Sequence, residues 1–171
     1  SASFGPLPDP GTGSAVSMTL ALPASPNARH RRHWNAGHMA ALGILIVDDN
    51  WLFLEAARDR LEQGGLRVVG VAATSAEALR RAEELRPEIV LVDIMLGGES
   101  GFELAQLLAA HHLDGGPTVI LISTYSAADF AGPIAESPAA GFLPKQDLSA
   151  DAIRRIVDGR GPGGAPGAPA C

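Results

Sequence analysis

The chain has one cysteine, Cys171, at its final position. That excludes an intrachain disulfide and any metal cluster built on several thiolates, and it points to a reducing, cytoplasmic compartment. Lysine is almost as scarce: Lys145 stands alone beside twelve arginines. Long hydrophobic runs are also missing. Ile44–Val47, Ile89–Val92 and Val119–Ile122 are of strand length, far short of the roughly 20 apolar residues a membrane-spanning helix needs. Residues 15–22 are apolar enough to suggest a signal peptide, but residues 1–14 contain no Lys or Arg. Without a positive n-region, secretion is not expected.

Positive charge is short where it would matter for nucleic acid. The formal net charge of −6 divides into about +2 on residues 1–38, −9 on residues 39–158 and +1 on the remainder. A domain so acidic repels phosphates, so neither nucleic acid nor membrane is expected as a partner of this chain. The basic cluster Arg29-His30-Arg31-Arg32-His33 lies in a Ser/Pro/Gly/Ala-rich stretch and reads as solvated linker. Ser1 is not an initiator, so the leader reads as a fragment or a start-site artefact as readily as a native arm.

Glycine and proline total 33, of which 17 fall in residues 1–38 and 159–171. The expected organisation is therefore a disordered leader (1–38), one folded domain (39–158) and a disordered Gly/Pro-rich tail (159–171). A chain of 171 residues supports one hydrophobic core.

From residue 43, short apolar β runs alternate with helix-length amphipathic runs, which implies an α/β fold with a parallel sheet flanked by helices. Strands are expected at 43–47, 67–71, 88–93, 118–122 and 140–143. Helices are expected at 51–63, at a segment capped by Thr74 and Glu77 and closed before Pro87, at 100–112, at 127–136, and after Ser149. Pro133 falls inside the fourth helix, so a short or kinked element is expected there.

The residues that interrupt the apolar strands collect at strand C-termini: Asp48 and Asp49 after the first, Asp93 closing the third, Ser123-Thr124 after the fourth and Lys145 after the fifth. In a doubly wound sheet of order 2-1-3-4-5 this edge is the ligand edge, and strands one and three are neighbours. Three carboxylates would converge there and repel one another unless a cation neutralises them. Oxygen-only ligands with room for water and phosphate suit Mg²⁺. Asp93 is then a candidate nucleophile, with the cation and Lys145 offsetting charge on the transferred oxygens, and the reaction class is phosphoryl transfer. A lysine in a chain that otherwise uses arginine marks a place needing a compact ammonium on a flexible stem. Taken singly, these residues also read as turns, caps and solvated charges; their joint placement favours a site.

The stretches Ile44-Leu-Ile-Val-Asp-Asp-Asn50, Ile89-Val-Leu-Val-Asp-Ile94, Val119-Ile-Leu-Ile-Ser123 and Gly141-Phe-Leu-Pro-Lys145 resemble the receiver domain of bacterial response regulators, with its flavodoxin-like, CheY-like fold. The likeness spans residues 42–158 and includes Gly101, eight residues beyond Asp93. It implies a single-domain response regulator of a two-component phosphorelay. Asp93 would accept phosphate from a histidine kinase or phosphotransfer protein, and the output would be contact with a downstream protein. It further implies that Asp48, Asp49, Asp93 and the Met95 backbone carbonyl bind Mg²⁺. Ser123, Thr124 and Lys145 would contact the phosphoryl group, and Phe142 would turn inward as Ser123 is drawn to it. Such a protein is no enzyme beyond its own phosphorylation and dephosphorylation. Ordinary strand core is the competing role for Phe142.

Gly97 stands where the family commonly has proline, which implies a more mobile loop, and Thr124 is bulkier than the usual residue after the switch hydroxyl. Other readings are the receiver part of a truncated DNA-binding regulator, a phosphate-independent interaction module, and a Mg²⁺-dependent Asp-nucleophile phosphatase of the haloacid-dehalogenase kind. The last expects Asp-x-Asp-x-Thr at strand one, which Asp48-Asp49-Asn50 does not supply.

Overall fold

A computed structural model of the chain describes residues 42–110 and 116–159. The expectations for the leader, for most of the tail, for the basic cluster at 29–33 and for the end of the third helix at His112 lie outside these residues.

Five parallel strands form one sheet: β1 (Gly43–Val47), β2 (Arg67–Ala72), β3 (Ile89–Asp93), β6 (Thr118–Ser123) and β7 (Gly141–Pro144). Their order is β2-β1-β3-β6-β7, which is 2-1-3-4-5 when the main strands are counted alone. Every residue of β1 and β3 is buried, as strands covered on both faces require. Helices α1 (Trp51–Gln63) and α5 (Ala150–Val157) cover one face, with Leu54, Leu61, Ile153 and Ile156 packed on Ile44, Ile46, Leu91 and Ile122. Helices α2 (Ser75–Leu85) and α3 (Gly101–Ala110) cover the other, where Ala78, Ala82, Leu104 and Leu108 meet Leu45, Val47, Val92 and Leu121. No helix among the described residues is long and apolar enough to cross a membrane.

Local chemistry sets the element boundaries. Asn50 Oδ1 accepts from the Phe53 amide and opens α1, and Ser149 Oγ does the same for α5 through Ala152. At α2, Thr74 Oγ1 accepts from the Glu77 amide, while the Glu77 carboxylate reaches one residue beyond the cap to the Ala73 amide. The pairing of β1 with β2 shifts register between Ile44 and Leu45, leaving Val69 without a partner in β1.

One segment departs from the sequence reading. The loop after β3 is a paired hairpin, with β4 (Met95–Leu96) antiparallel to β5 (Glu99–Ser100). Gly97 (φ +55°) and Gly98 (φ +95°) form its two-residue turn with both angles positive, the conformation that matches strand twist and that glycine adopts without strain. Thus Gly97 builds a closed turn here. The fourth helical segment is short and broken, as the sequence implies: a 3-10 turn (Ala127–Phe130) passes into α4 (Ala131–Glu136), with the break ahead of Pro133. Pro133 is the third residue of α4, a position whose amide has no helical partner in any case. Neither piece contains a fully buried residue.

Candidate functional site

Because the strands are parallel, Asp48, Asp93, Ser123 and Lys145 arrive together at one edge of the sheet. Strands β1 and β3 are neighbours, and the helices that follow them diverge to opposite faces. The crevice at this switch point is where doubly wound folds bind ligands.

Asp48 is wholly buried and Asp93 nearly so, whereas Asp49 is exposed at the rim. One carboxylate oxygen from each of the three lies within 4.8 Å of the others. Asp48 Oδ1 accepts from the Asn50 amide at 2.9 Å, and Asp93 Oδ1 from the Met95 amide at 3.3 Å. The second oxygens face Lys145, whose Nζ is 2.6 Å from Asp48 Oδ2 and 2.8 Å from Asp93 Oδ2. Only the contact to Asp93 has the alignment of a hydrogen bond. Asp48 Oδ2 is therefore close to a cation but has no directed donor, a buried acceptor with unused capacity.

Burial pushes the Asp93 carboxyl above its ordinary range, and the charge of Asp48 adds to this, while the Lys145 hydrogen bond opposes it. For Lys145, burial favours the neutral amine, but the two carboxylates outweigh burial and hold the ammonium charged. The arrangement is two buried carboxylates around one ammonium, with a third carboxylate at the opening. Three carboxylates that a single ammonium does not balance, in an all-oxygen donor set, fit a hard divalent cation.

Ser123 is buried at the end of β6, and its Oγ accepts from the Tyr125 amide at 3.2 Å. Thr124 is exposed and borders an open hollow of about 480 Å³ together with Asn50, Phe53, Arg60, Lys145 and Gln146. Phe142 is 9% exposed and belongs to the core cluster on the face of the sheet that α2 and α3 cover. Met95 is exposed and Tyr125 likewise, the latter edge-on to Phe130.

Two features of the site were missed in the sequence reading. Phe53 places its ring 4.7 Å from Lys145 Nζ, a contact that exists only because α1 packs beside the end of β7. The hairpin carries Glu99, whose carboxylate accepts from the Ser75 amide at 2.8 Å and ties the segment after Asp93 to the start of α2. The Gly97-Gly98 pair is the one local cue to this turn.

Known proteins resemble this chain in sequence and fold. Residues 44–158 match the family model of the response regulator receiver domain. Response regulator GacA of Pseudomonas viridiflava is 31% identical over 114 residues, covering 66% of this chain and 52% of that protein. Transcriptional regulatory protein LiaR of Bacillus subtilis is 29% identical over 126 residues, covering 68% of this chain and 56% of that protein. The chain thus spans about half the length of these curated relatives. Among solved structures, a response regulator from Burkholderia pseudomallei, determined with a phosphorylated aspartic acid, a calcium ion and citrate, superposes with a TM-score of 0.58 at 25% identity. The match covers 68% of this chain and 66% of that one. Sheet order, strand-end acidic cluster and family match agree over the same residues, and the chain belongs to the response regulator receiver family of two-component signalling.

Proposed function

We propose that this chain is a phosphorylation switch in which Asp93 is the acceptor. The observation that carries this reading is the pairing of the nearly buried Asp93 with Lys145 at 2.8 Å, beside two further carboxylates at one sheet edge. Asp48, Asp49 and Asp93, with the Met95 carbonyl, would hold Mg²⁺, which when bound neutralises the carboxylates and the charge on the phosphoryl oxygens. The chain's own groups do the rest. An Asp93 oxygen forms a bond to phosphorus as the donor's bond to phosphorus breaks. The bonding pair leaves on the imidazole of a phosphohistidine, or on acetate when the donor is acetyl phosphate. The Lys145 ammonium offsets charge on a transferred oxygen, and the Ser123 and Thr124 hydroxyls donate to others.

Under this reading a histidine kinase or phosphotransfer protein is the donor, and the output is a protein contact made by the face carrying α4, β7 and α5. Residues 39–158 act as the receiver unit. Incubation with Mg²⁺ and acetyl phosphate should yield one acid-labile adduct, lost in Asp93→Ala. An adduct that persists in that variant excludes Asp93 as the acceptor.

A second reading is favoured by the length of the relatives: the chain spans 56% of LiaR, a transcriptional regulatory protein. The domain would then control a DNA-binding segment elsewhere in a longer protein. Sequencing the full reading frame tests this, and a frame that adds no segment on either side of residues 1–171 excludes it.

A further inference from the structure

The ammonium of Lys145 meets more than carboxylates. Its Nζ lies 4.7 Å from the centroid of the Phe53 ring, inside the distance at which a cation is drawn to an aromatic face. The lysine side chain is 13% exposed, so this attraction is less screened than at an open surface. Phe53 is held in turn: it is half-buried and packs against the core on the α1 and α5 side. Its helix is anchored by the Asn50 cap, which bonds the Phe53 amide itself. Ring and ammonium also line the same hollow, beside Thr124. A lysine stem has four rotatable carbons, and its two carboxylate partners are the groups that a cation and a phosphoryl group would engage. The ring is the neighbour of the ammonium that those ligands do not compete for.

We propose that Phe53 is a positioning residue for phosphoryl transfer: its ring face holds the Lys145 ammonium at the mouth of the site while Asp48 and Asp93 turn to other ligands. The inference rests on the reading of Asp93 as acceptor. It concerns a side chain outside the groups assigned to the cation and the phosphoryl group, acting through Lys145.

The test compares phosphorylation rates with acetyl phosphate at saturating Mg²⁺ for wild type, Phe53→Leu, Phe53→Met and Phe53→Tyr. Mg²⁺ affinity by titration calorimetry and melting temperature are measured for each. Leu and Met keep an apolar side chain at a half-buried position and remove the ring, so they should slow the reaction roughly 3- to 30-fold. Tyr restores the ring and should bring the rate back to within about twofold of wild type, with Mg²⁺ affinity unchanged throughout. Wild-type rates in Leu and Met overturn the proposal, as does a Tyr variant as slow as Leu. A slowing that tracks loss of Mg²⁺ affinity or of melting temperature also overturns it, since packing alone would do that. An adduct missing from wild type, or surviving Asp93→Ala, instead refutes the acceptor reading and is distinguishable from all of these.

Discussion

Gly101 begins α3 hard against the backbone of Asp93: a Cβ at position 101 would overlap the Asp93 carbonyl oxygen and crowd the Ile94 Cα. The Gly101 amide also donates to the Ile94 carbonyl at 2.9 Å. The glycine thereby sets how closely the helix following the hairpin can approach the strand that carries the acidic centre. Backbone cannot yield as a side chain can, so Gly101→Ala should destabilise the fold by about 2–3 kcal/mol. Urea unfolding should show a lower midpoint with an unchanged slope.

Mg²⁺ should stabilise the folded chain, since a ligand that binds only the native state adds about 2.7 kcal/mol at a hundred times its Kd. Asp49 is exposed and is the member of the cluster without an ion-pair partner among the described residues. Asp49→Ala should therefore reduce the Mg²⁺ gain while leaving the metal-free protein no less stable than wild type. Melting curves at graded Mg²⁺ check both parts. A variant less stable without metal, yet with the full Mg²⁺ response, would make Asp49 a structural cap.

Removing the ammonium should be far costlier. Lys145→Met leaves Asp48 and Asp93 buried side by side with no compensating charge. Breaking a buried ion pair from one side costs about 3–5 kcal/mol. Denaturation without Mg²⁺ should show that loss, and Mg²⁺ should recover more stability in this variant than in wild type.

Glu77 ties the start of α2 to the acid limb of the stability profile. The Ala73 backbone hydrogen bond, with help from Arg81, holds its carboxyl below the ordinary value of 4.5. A group with a depressed folded pKa contributes stability that is present above the unfolded pKa and is lost as pH falls through the folded one. Glu77→Gln should therefore flatten the decline in stability as pH falls below about 4.5 and leave the profile unchanged in shape near neutrality. Thr74→Ala, which removes the hydroxyl that accepts from the Glu77 amide, should cost about 1 kcal/mol at neutral pH.

The lifetime of the phosphorylated state should be long. Met95 and Tyr125 are each more than half exposed, and their amides bond Asp93 and Ser123 directly. Hydrolysis needs a water positioned in line with the phosphorus–oxygen bond, and a thioether or a phenol orients water poorly for that role. The double variant Met95→Asn/Tyr125→Glu should lose phosphate faster than wild type in a direct decay assay. Equal rates would mean that neither side chain affects the attacking water.

The linear order of residues determined much of this protein by itself. Strand length and alternation specified an α/β sheet, because fully buried parallel strands such as Ile89–Asp93 must be apolar along their length. Caps at Thr74 and Ser149 specified where two helices start, since each satisfies amides within its own turn. The polar residues at strand ends were legible as a cluster for the same reason: parallel topology carries every strand's C-terminus to one edge. Tertiary structure alone decided what depends on distances between remote segments. The misaligned approach of Lys145 to Asp48 Oδ2, the ring of Phe53 beneath that ammonium and the inward seat of Phe142 all depend on how α1, β7 and the sheet pack. The Gly97-Gly98 hairpin lies between, since its turn residues are local but its tie through Glu99 to Ser75 is not. Propensity and capping act over a few residues, whereas charge pairing and desolvation are set by neighbours that only folding brings together.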